Sequence, residues 1–350
     1  MAQNEAPIAS DGNHSLRHEI SFLATACGLL AAVGYMSANI FLRSLTHLDP
    51  SWVTCVKAVP TVIAFGPLVI RRLLRHERLF ESSADLTRTI LVAIISQITG
   101  NIFFQWSLGV VGLAISVPLT LGALIASGAL LGRWILKDAI TVRMAIASCI
   151  LIFAFCILSV GAPAANAAMA SLDSRIPLTS IWITMGVAAA CISGISYTLL
   201  NISIRFSSNR GTPQSSLLFT VGVVGVFFLG GITFARHGFS PLQETSSADW
   251  IRLFGAGICN VTAFWALTKA LHLASVVFVN ALNASQTAMA AIAGVIIFNE
   301  PLTAAMIIGT GLTVVGLLLM TRNVSPANNR LKQPPVEPNE ADPTNPEAAS

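Results

Sequence analysis

Charge is scarce in this 350-residue chain: Asp, Glu, Lys and Arg together make up 10% of it. A soluble domain carries about 25%, so a water-facing globular fold is excluded for most of the length. Catalytic motifs are also absent. There is no GxSxG, no HExxH and no glycine-rich phosphate loop after a strand. No carboxylate lies deep in an apolar run. A membrane-embedded enzyme needs ionisable groups at its centre to handle protons, so an enzyme is not expected. Cys27, Cys55, Cys149, Cys156, Cys191 and Cys259 all fall in apolar runs, without a CxxC pair or a His at ligand spacing. That excludes a disulfide framework, and neither a metal nor another cofactor is expected. The net charge of +4 is spread over short loops. It gives no reason to expect a nucleic-acid partner.

What is abundant is apolar sequence, 54% of residues with a mean hydropathy of +0.73. Hydropathy predicts an all-α polytopic membrane protein of about ten spans, at roughly 20–42, 52–70, 89–110, 113–134, 141–160, 179–201, 214–235, 249–268, 274–298 and 302–321. The chain repeats itself. Tyr35-x3-Asn39-x3-Arg43 returns as Tyr197-x3-Asn201-x3-Arg205, displaced by 162 residues, and Asp138-Ala-Ile-Thr returns as Glu300-Pro-Leu-Thr at the same displacement. Asn101…Trp106 returns as Asn260…Trp265, displaced by 159. Five spans per unit force the second copy into the bilayer upside down, the pattern of inverted-repeat transporters. The expected organisation is a cytoplasmic polar N-tail (1–19), a first five-helix repeat (20–160), an outer linker (161–178), a second repeat (179–321) and a disordered cytoplasmic C-tail (322–350), rich in Pro, Asn and Glu. The first apolar run is too long for a signal-peptide core and reads as a retained span. With the N-terminus inside, fifteen Lys and Arg fall on the cytoplasmic side and five outside. The positive-inside rule thus places both termini in the cytoplasm.

Polar residues inside the spans are the candidate site. Gln97 and Asn101 share a face with Gln105, Asn280 and Asn283 with Thr287, Tyr35 with Asn39, and Tyr197 with Asn201. Asn260 stands alone in the eighth span. Amides facing lipid are disfavoured, so they line a wet cavity or bond between helices. Trp106 and Trp265 add aromatic surface. Lys57 is the one charge well inside a span. It either snorkels to the outer headgroups or receives an anionic group such as a carboxylate. Small residues at Gly186, Ala190 and Gly194, at Gly128 and Gly132, and at Ala290 and Gly294 read as close helix packing.

These residues carry a family resemblance. Two five-span units, Pro118 early in the fourth span, an acidic residue closing the fourth and ninth spans, and the stretch IIFNEPLTAAMIIGTGLTVVGLLLM at 296–320 resemble EamA-type proteins of the drug/metabolite transporter superfamily. Lys57 stands where that family often has Arg. The first unit departs from the pattern, with Lys137-Asp138 where a Gly-Glu pair is more usual. The resemblance implies a ten-helix bundle with a central cavity, and export of amino acids, metabolites or drugs.

The expected function is therefore a secondary transporter of the plasma membrane (the bacterial inner membrane), exporting a small-molecule substrate by alternating access. A homodimer is possible. Uptake or exchange by the same fold, and a flippase-like accessory handling lipid-linked groups, are the alternatives. Repeat arithmetic further pairs Arg43 with Glu300 at the outer surface and Arg205 with Asp138 at the inner one. These are candidate gates, or else interfacial charges with no gating role.

Overall fold

The structure is a computed structural model; it describes residues 11–136, 142–172, 177–273 and 276–321. Among the described residues every regular element is helical. Helix α1 spans Asp11–Arg43 and α2 Pro50–Leu74. Helix α3 (Ser83–Ile95) continues through a π-helical segment, Ser96–Ile102, into α4 (Phe103–Val111). Helices α5 (Leu113–Leu136) and α6 (Val142–Leu172) complete the first half. Then come α7 (Ser180–Asn209), α8 (Gln214–Val224), a second π segment (Gly225–Leu229), α9 (Gly230–His237) and the short α10 (Ser240–Glu244). Helices α11 (Ser247–Leu273), α12 (Val276–Phe298) and α13 (Ala304–Thr321) close the bundle.

Seven of these runs are long and apolar enough to cross a membrane, and three further apolar stretches, 113–128, 285–298 and 304–319, are shorter. Large apolar side chains such as Ile63, Val160, Ile181, Phe227 and Ile296 stand exposed around the outside. A protein in water buries such residues; a lipid-facing one does not need to. The chain is a polytopic membrane protein.

Local chemistry sets the helix ends. Asp49 accepts the N–H groups of Ser51 and Trp52 and caps α2, with Pro50 at its first position. Ser82 caps α3 and Thr179 caps α7. Gly112, at φ 77°, turns the chain sharply between α4 and α5.

Two boundaries differ from the hydropathy reading. Helix α6 runs to Leu172, so most of the expected linker 161–178 is helical. Its extension, Gly-Ala-Pro-Ala-Ala-Asn-Ala-Ala, is rich in the best helix former but modest in apolarity per residue. It is anchored by Asn166, which donates to the Val110 carbonyl at 3.0 Å. Helix α1 starts at Asp11, inside the expected polar tail 1–19. The C-tail 322–350 lies outside the described residues.

The two halves interleave rather than sit side by side. First-half α1 packs along α11 and α12, α5 along α7 and α12, and α6 along α13. Small residues make this possible. A Cβ on Gly186 would come within 2.5 Å of Val110, and one on Gly194 would run into the backbone of Thr120 and Leu124. The stripe Gly186–Ala190–Gly194 is thus a packing face against α4 and α5.

Candidate functional site

The π segment at 96–102 is where the polar side chains gather. A π turn holds an extra residue and loosens the backbone ladder, and such bulges recur at functional sites. Here it aims Gln97 and Asn101 inward. Asn101 donates from Nδ2 to Gln97 Oε1 at 2.8 Å. Its Oδ1 accepts from Lys57 Nζ at 2.8 Å and from the Tyr197 hydroxyl at 3.0 Å. Gln97 in turn donates to the Val221 carbonyl at 3.1 Å. One network therefore ties α2, the π segment, α7 and α8, two elements from each half. Glycines clear the space for it. A Cβ on Gly225 would press to 2.7 Å from Gln97 Nε2, and one on Gly100 to 3.1 Å from the Tyr197 ring.

Seven sequence-chosen residues remain partly accessible within their spans: Tyr35, Asn39, Lys57, Asn101, Tyr197, Asn260 and Asn283. Gln97 is buried. Asn283 accepts from Gln286, a bond within α12. The side chain of Asn280 lies outside the described residues. Two candidates sit elsewhere. Asn201 is exposed on α7. Trp265 is 54% exposed on the bundle exterior, with the Lys269 ammonium 5.0 Å above its ring. An amphipathic indole suits the lipid interface as well as a cavity, and repeat position alone does not separate the two. Its repeat partner Trp106 faces inward instead, packed edge-on against Trp182 at 5.0 Å.

Trp106 belongs to a second place, at the end of the bundle where α1 gives way to α2. A cavity of about 520 Å³ opens there, bounded by Arg43, His47, Gln105, Trp106, Trp182 and Arg252, among others. Arg43 donates from Nε to Glu300 Oε1 at 3.1 Å. Its other guanidinium nitrogens reach Thr46 Oγ1 at 3.3 Å and Met169 Sδ, and its plane lies 4.9 Å from the Phe298 ring centre. Glu300 also accepts the N–H groups of Leu113 and Ala114 at 2.8 and 2.9 Å, capping the start of α5.

The repeat arithmetic paired Arg43 with Glu300 at the surface. The structure brings them together but buries both, with side chains 6% and 1% exposed. The reason is local. Asn299, at φ 52°, reverses the chain after α12, and the Glu300 N–H bonds back to the Gly294 carbonyl at 2.9 Å. A Cβ on Gly294 would sit 2.5 Å from Glu300 Oε2, so only glycine leaves room for the carboxylate. Of the other pair, Arg205 is exposed and Asp138 lies outside the described residues.

The sequence reading missed two charged hubs. Ser82-Ser-Ala-Asp85-Leu-Thr-Arg88 and Ser246-Ser-Ala-Asp249-Trp-Ile-Arg252 are nearly the same peptide, 164 residues apart. That near-identity was the available signal. Both fold alike. Ser82 Oγ accepts the Asp85 N–H at 3.1 Å, and Arg88 reaches the Asp85 carboxylate at 2.6 Å. Ser246 Oγ accepts the Asp249 N–H at 3.2 Å, and Arg252 reaches Asp249 at 2.8 Å. Each buried carboxylate then takes a side chain from the opposite half. Asp85 takes Arg210 at 3.4 Å, while Arg88 bonds Ser207 at 2.9 Å. Asp249 takes His47 at 3.3 Å. The hubs lie at opposite ends of α2, whose 25 residues span about 37 Å.

Beside the Asp249 hub, Asp49 faces His237 at 3.4 Å and Arg236 at 3.8 Å. Burial pushes its carboxyl up. The Ser51 hydroxyl, the Trp52 and Ser51 N–H groups and the Arg236 charge outweigh that and hold it below the ordinary carboxylate range.

Comparison with known proteins agrees with the fold. Residues 181–322 match the sequence profile of the EamA-like transporter family, which bears out the resemblance read from the sequence. No curated protein matches by sequence. Thirteen chains of solved structures match. One of them, described only as "Crystal structure of protein", superposes with a TM-score of 0.52 at 11% identity, over 89% of this chain and 99% of its own. At that identity the likeness concerns the fold alone.

Proposed function

We propose, taking residues 181–322 as an EamA-like transporter unit, that the chain is a secondary transporter that exports small metabolites, not an enzyme. It works by alternating access between two inverted five-helix repeats. The observation that carries this reading is the network Lys57–Asn101–Tyr197–Gln97, in which mid-span polar groups from both halves meet. A site shared by the halves changes its access when they rock against each other.

The inverted arrangement draws support from three features. The seven-residue hubs of Asp85 and Asp249 recur at opposite ends of α2 and clasp the opposite half in the same way. Helix contacts come in exchanged pairs: α1 on α11 answers the π segment and α4 on α7, and α1 on α12 answers α5 on α7. The chain leaves the second span through His76 at φ 56° and the seventh through Gly238 at φ 61°. Ten spans then follow, with α5, α12 and α13 as the three beyond the seven longest apolar runs. The protein resides in the plasma membrane on this reading, and the loop charges favour both termini in the cytoplasm. Arg43–Glu300 closes the outer mouth, and the Arg205 and Asp138 regions serve the inner one.

The test is flux. Purified protein in proteoliposomes should move at least one of a panel of small neutral, zwitterionic, anionic and cationic metabolites, saturably and with counterflow. A panel that moves no faster than through empty vesicles ends the transporter reading. Orientation is tested in intact cells after replacing the native cysteines: Ser83→Cys should be shielded from an impermeant thiol reagent and Ser171→Cys labelled. The reverse pattern inverts the topology.

A further inference from the structure

We infer that the transported solute carries an anionic group of the carboxylate class, and that Lys57 receives it. The inference rests on the transporter reading above and names the chemistry of its site. The argument starts from charge accounting. Among the described residues, the arginines that reach into the bundle have carboxylate partners: Arg43 has Glu300, Arg88 and Arg210 share Asp85, and Arg252 has Asp249. No ion pair among the described residues includes Lys57. Its ammonium has three N–H donors, and the hydrogen bond it makes is to one neutral amide oxygen, Asn101 Oδ1, at 2.8 Å.

That oxygen is already shared with the Tyr197 hydroxyl. The other groups nearest the network are amides, a phenol and backbone carbonyls, none of them negative. A cation away from bulk water is expensive unless an anion accompanies it. Lys57 is half-buried at the junction of the two halves, where a solute admitted between them would meet it. A carboxylate would accept the free ammonium hydrogens, and the Tyr197 hydroxyl could turn its one hydrogen from Asn101 Oδ1 to it, which converts a costly lone charge into a charge-assisted contact between the halves.

A second observation has the same sign. Among the described residues, the cavity of about 520 Å³ at the α1–α2 end is lined by Arg43, His47 and Arg252 and by no carboxylate. Glu300 and Asp249 stand behind these basic side chains rather than in front of them, bonded to backbone or serine as well as to the basic groups. The mouth therefore presents basic edges to the solute, which favours anions near it. A carrier for cations would be lined the other way.

The experiment uses the full chain, purified and reconstituted, with matched probes: lactate and lactamide, phenylacetate and phenylacetamide, N-acetylleucine and its amide, and the amines ethanolamine and phenethylamine. Binding is read as a thermal shift and transport as counterflow. At least one acid should bind and move, with its amide at least about tenfold weaker, as expected for one charge-assisted contact. Lys57→Met should erase the preference and Lys57→Arg should keep it. Asn101→Asp supplies an internal anion and should also erase it, which keeps the test decisive if the Met variant folds poorly. Acid and amide behaving alike, or a preference that survives Lys57→Met, overturns the inference. Transport of amines or amides without acids overturns the inference and leaves the transporter reading standing; no transport of any probe counts against both.

Discussion

Arg43 and Lys57 are both cations set into the same bundle, yet their surroundings are opposite. Arg43 has a carboxylate, a hydroxyl, a thioether and an aromatic face, and its partner Glu300 has two backbone N–H groups of its own. Each guanidinium nitrogen there is answered from within the chain. Lys57 is answered by one amide oxygen. A side chain whose bonds are complete holds the fold together; one left incomplete at the junction of two halves has capacity for a partner from outside. The first arrangement should show itself in stability, the second in solute selectivity.

The largest effect should come from breaking the complete site. Glu300→Ala removes the anion beside Arg43 and orphans the N–H groups of Leu113 and Ala114. Breaking a buried pair costs about 3–5 kcal/mol, so the detergent-purified variant should unfold far below the wild type or fail to be recovered. Glu300→Gln, which keeps acceptors, should fall in between. Equal stability of all three would dissolve the contrast. Next come the hubs. Asp85→Asn and Asp249→Asn each remove charge from a buried hydrogen-bonded carboxylate and should destabilise by about 1–3 kcal/mol, read by thermal denaturation. Comparable losses at the two ends fit one peptide serving the same purpose twice; a loss at one end alone breaks that equivalence.

Lys57→Met should behave in the opposite sense to Glu300→Ala. Replacing a poorly compensated interior charge by a similar apolar volume is often neutral or stabilising, so its melting temperature should hold or rise. A marked fall would mean Lys57 belongs with Arg43 as a structural cation. The smallest effect concerns Asp49, whose carboxyl is held below its ordinary range. A lowered folded-state value contributes stability above the unfolded value and loses it as pH falls through the folded one. Asp49→Asn keeps the helix cap, so the difference from wild type should be within about 1 kcal/mol at neutral pH. It should narrow below about pH 4.

How much of this was legible in sequence depended on which physics each feature obeys. Gln97 and Asn101 were found because amides four apart in an apolar helix must share a face. Arg43 and Glu300 were paired by repeat arithmetic, but their burial was not visible. It depends on Gly294 leaving a void and on Asn299 turning the carboxylate back into it, neither of which hydropathy registers. Asn201 and Trp265 were over-read. An inverted copy reproduces backbone position and not neighbours, and these two face outward. The hubs were under-read because Ser-x-x-Asp looks like an ordinary helix cap. Only the opposite half, supplying Arg210 and His47, makes it more.

The π segment at 96–102 has a consequence of its own. A π turn amounts to one residue inserted into an α-helix, and each residue of an α-helix turns the chain by about 100°. The widened turn absorbs that residue locally, so the helix on either side keeps nearly the phase of an uninterrupted α-helix. Deleting Thr99 would tighten the turn and leave α3 and α4 facing almost as they do, whereas a deletion outside the segment would rotate everything beyond it by about that angle. The slack of one residue is thus confined to the turn that carries Gln97 and Asn101. Insertions and deletions in this helix, more than substitutions, are the changes that would re-aim it.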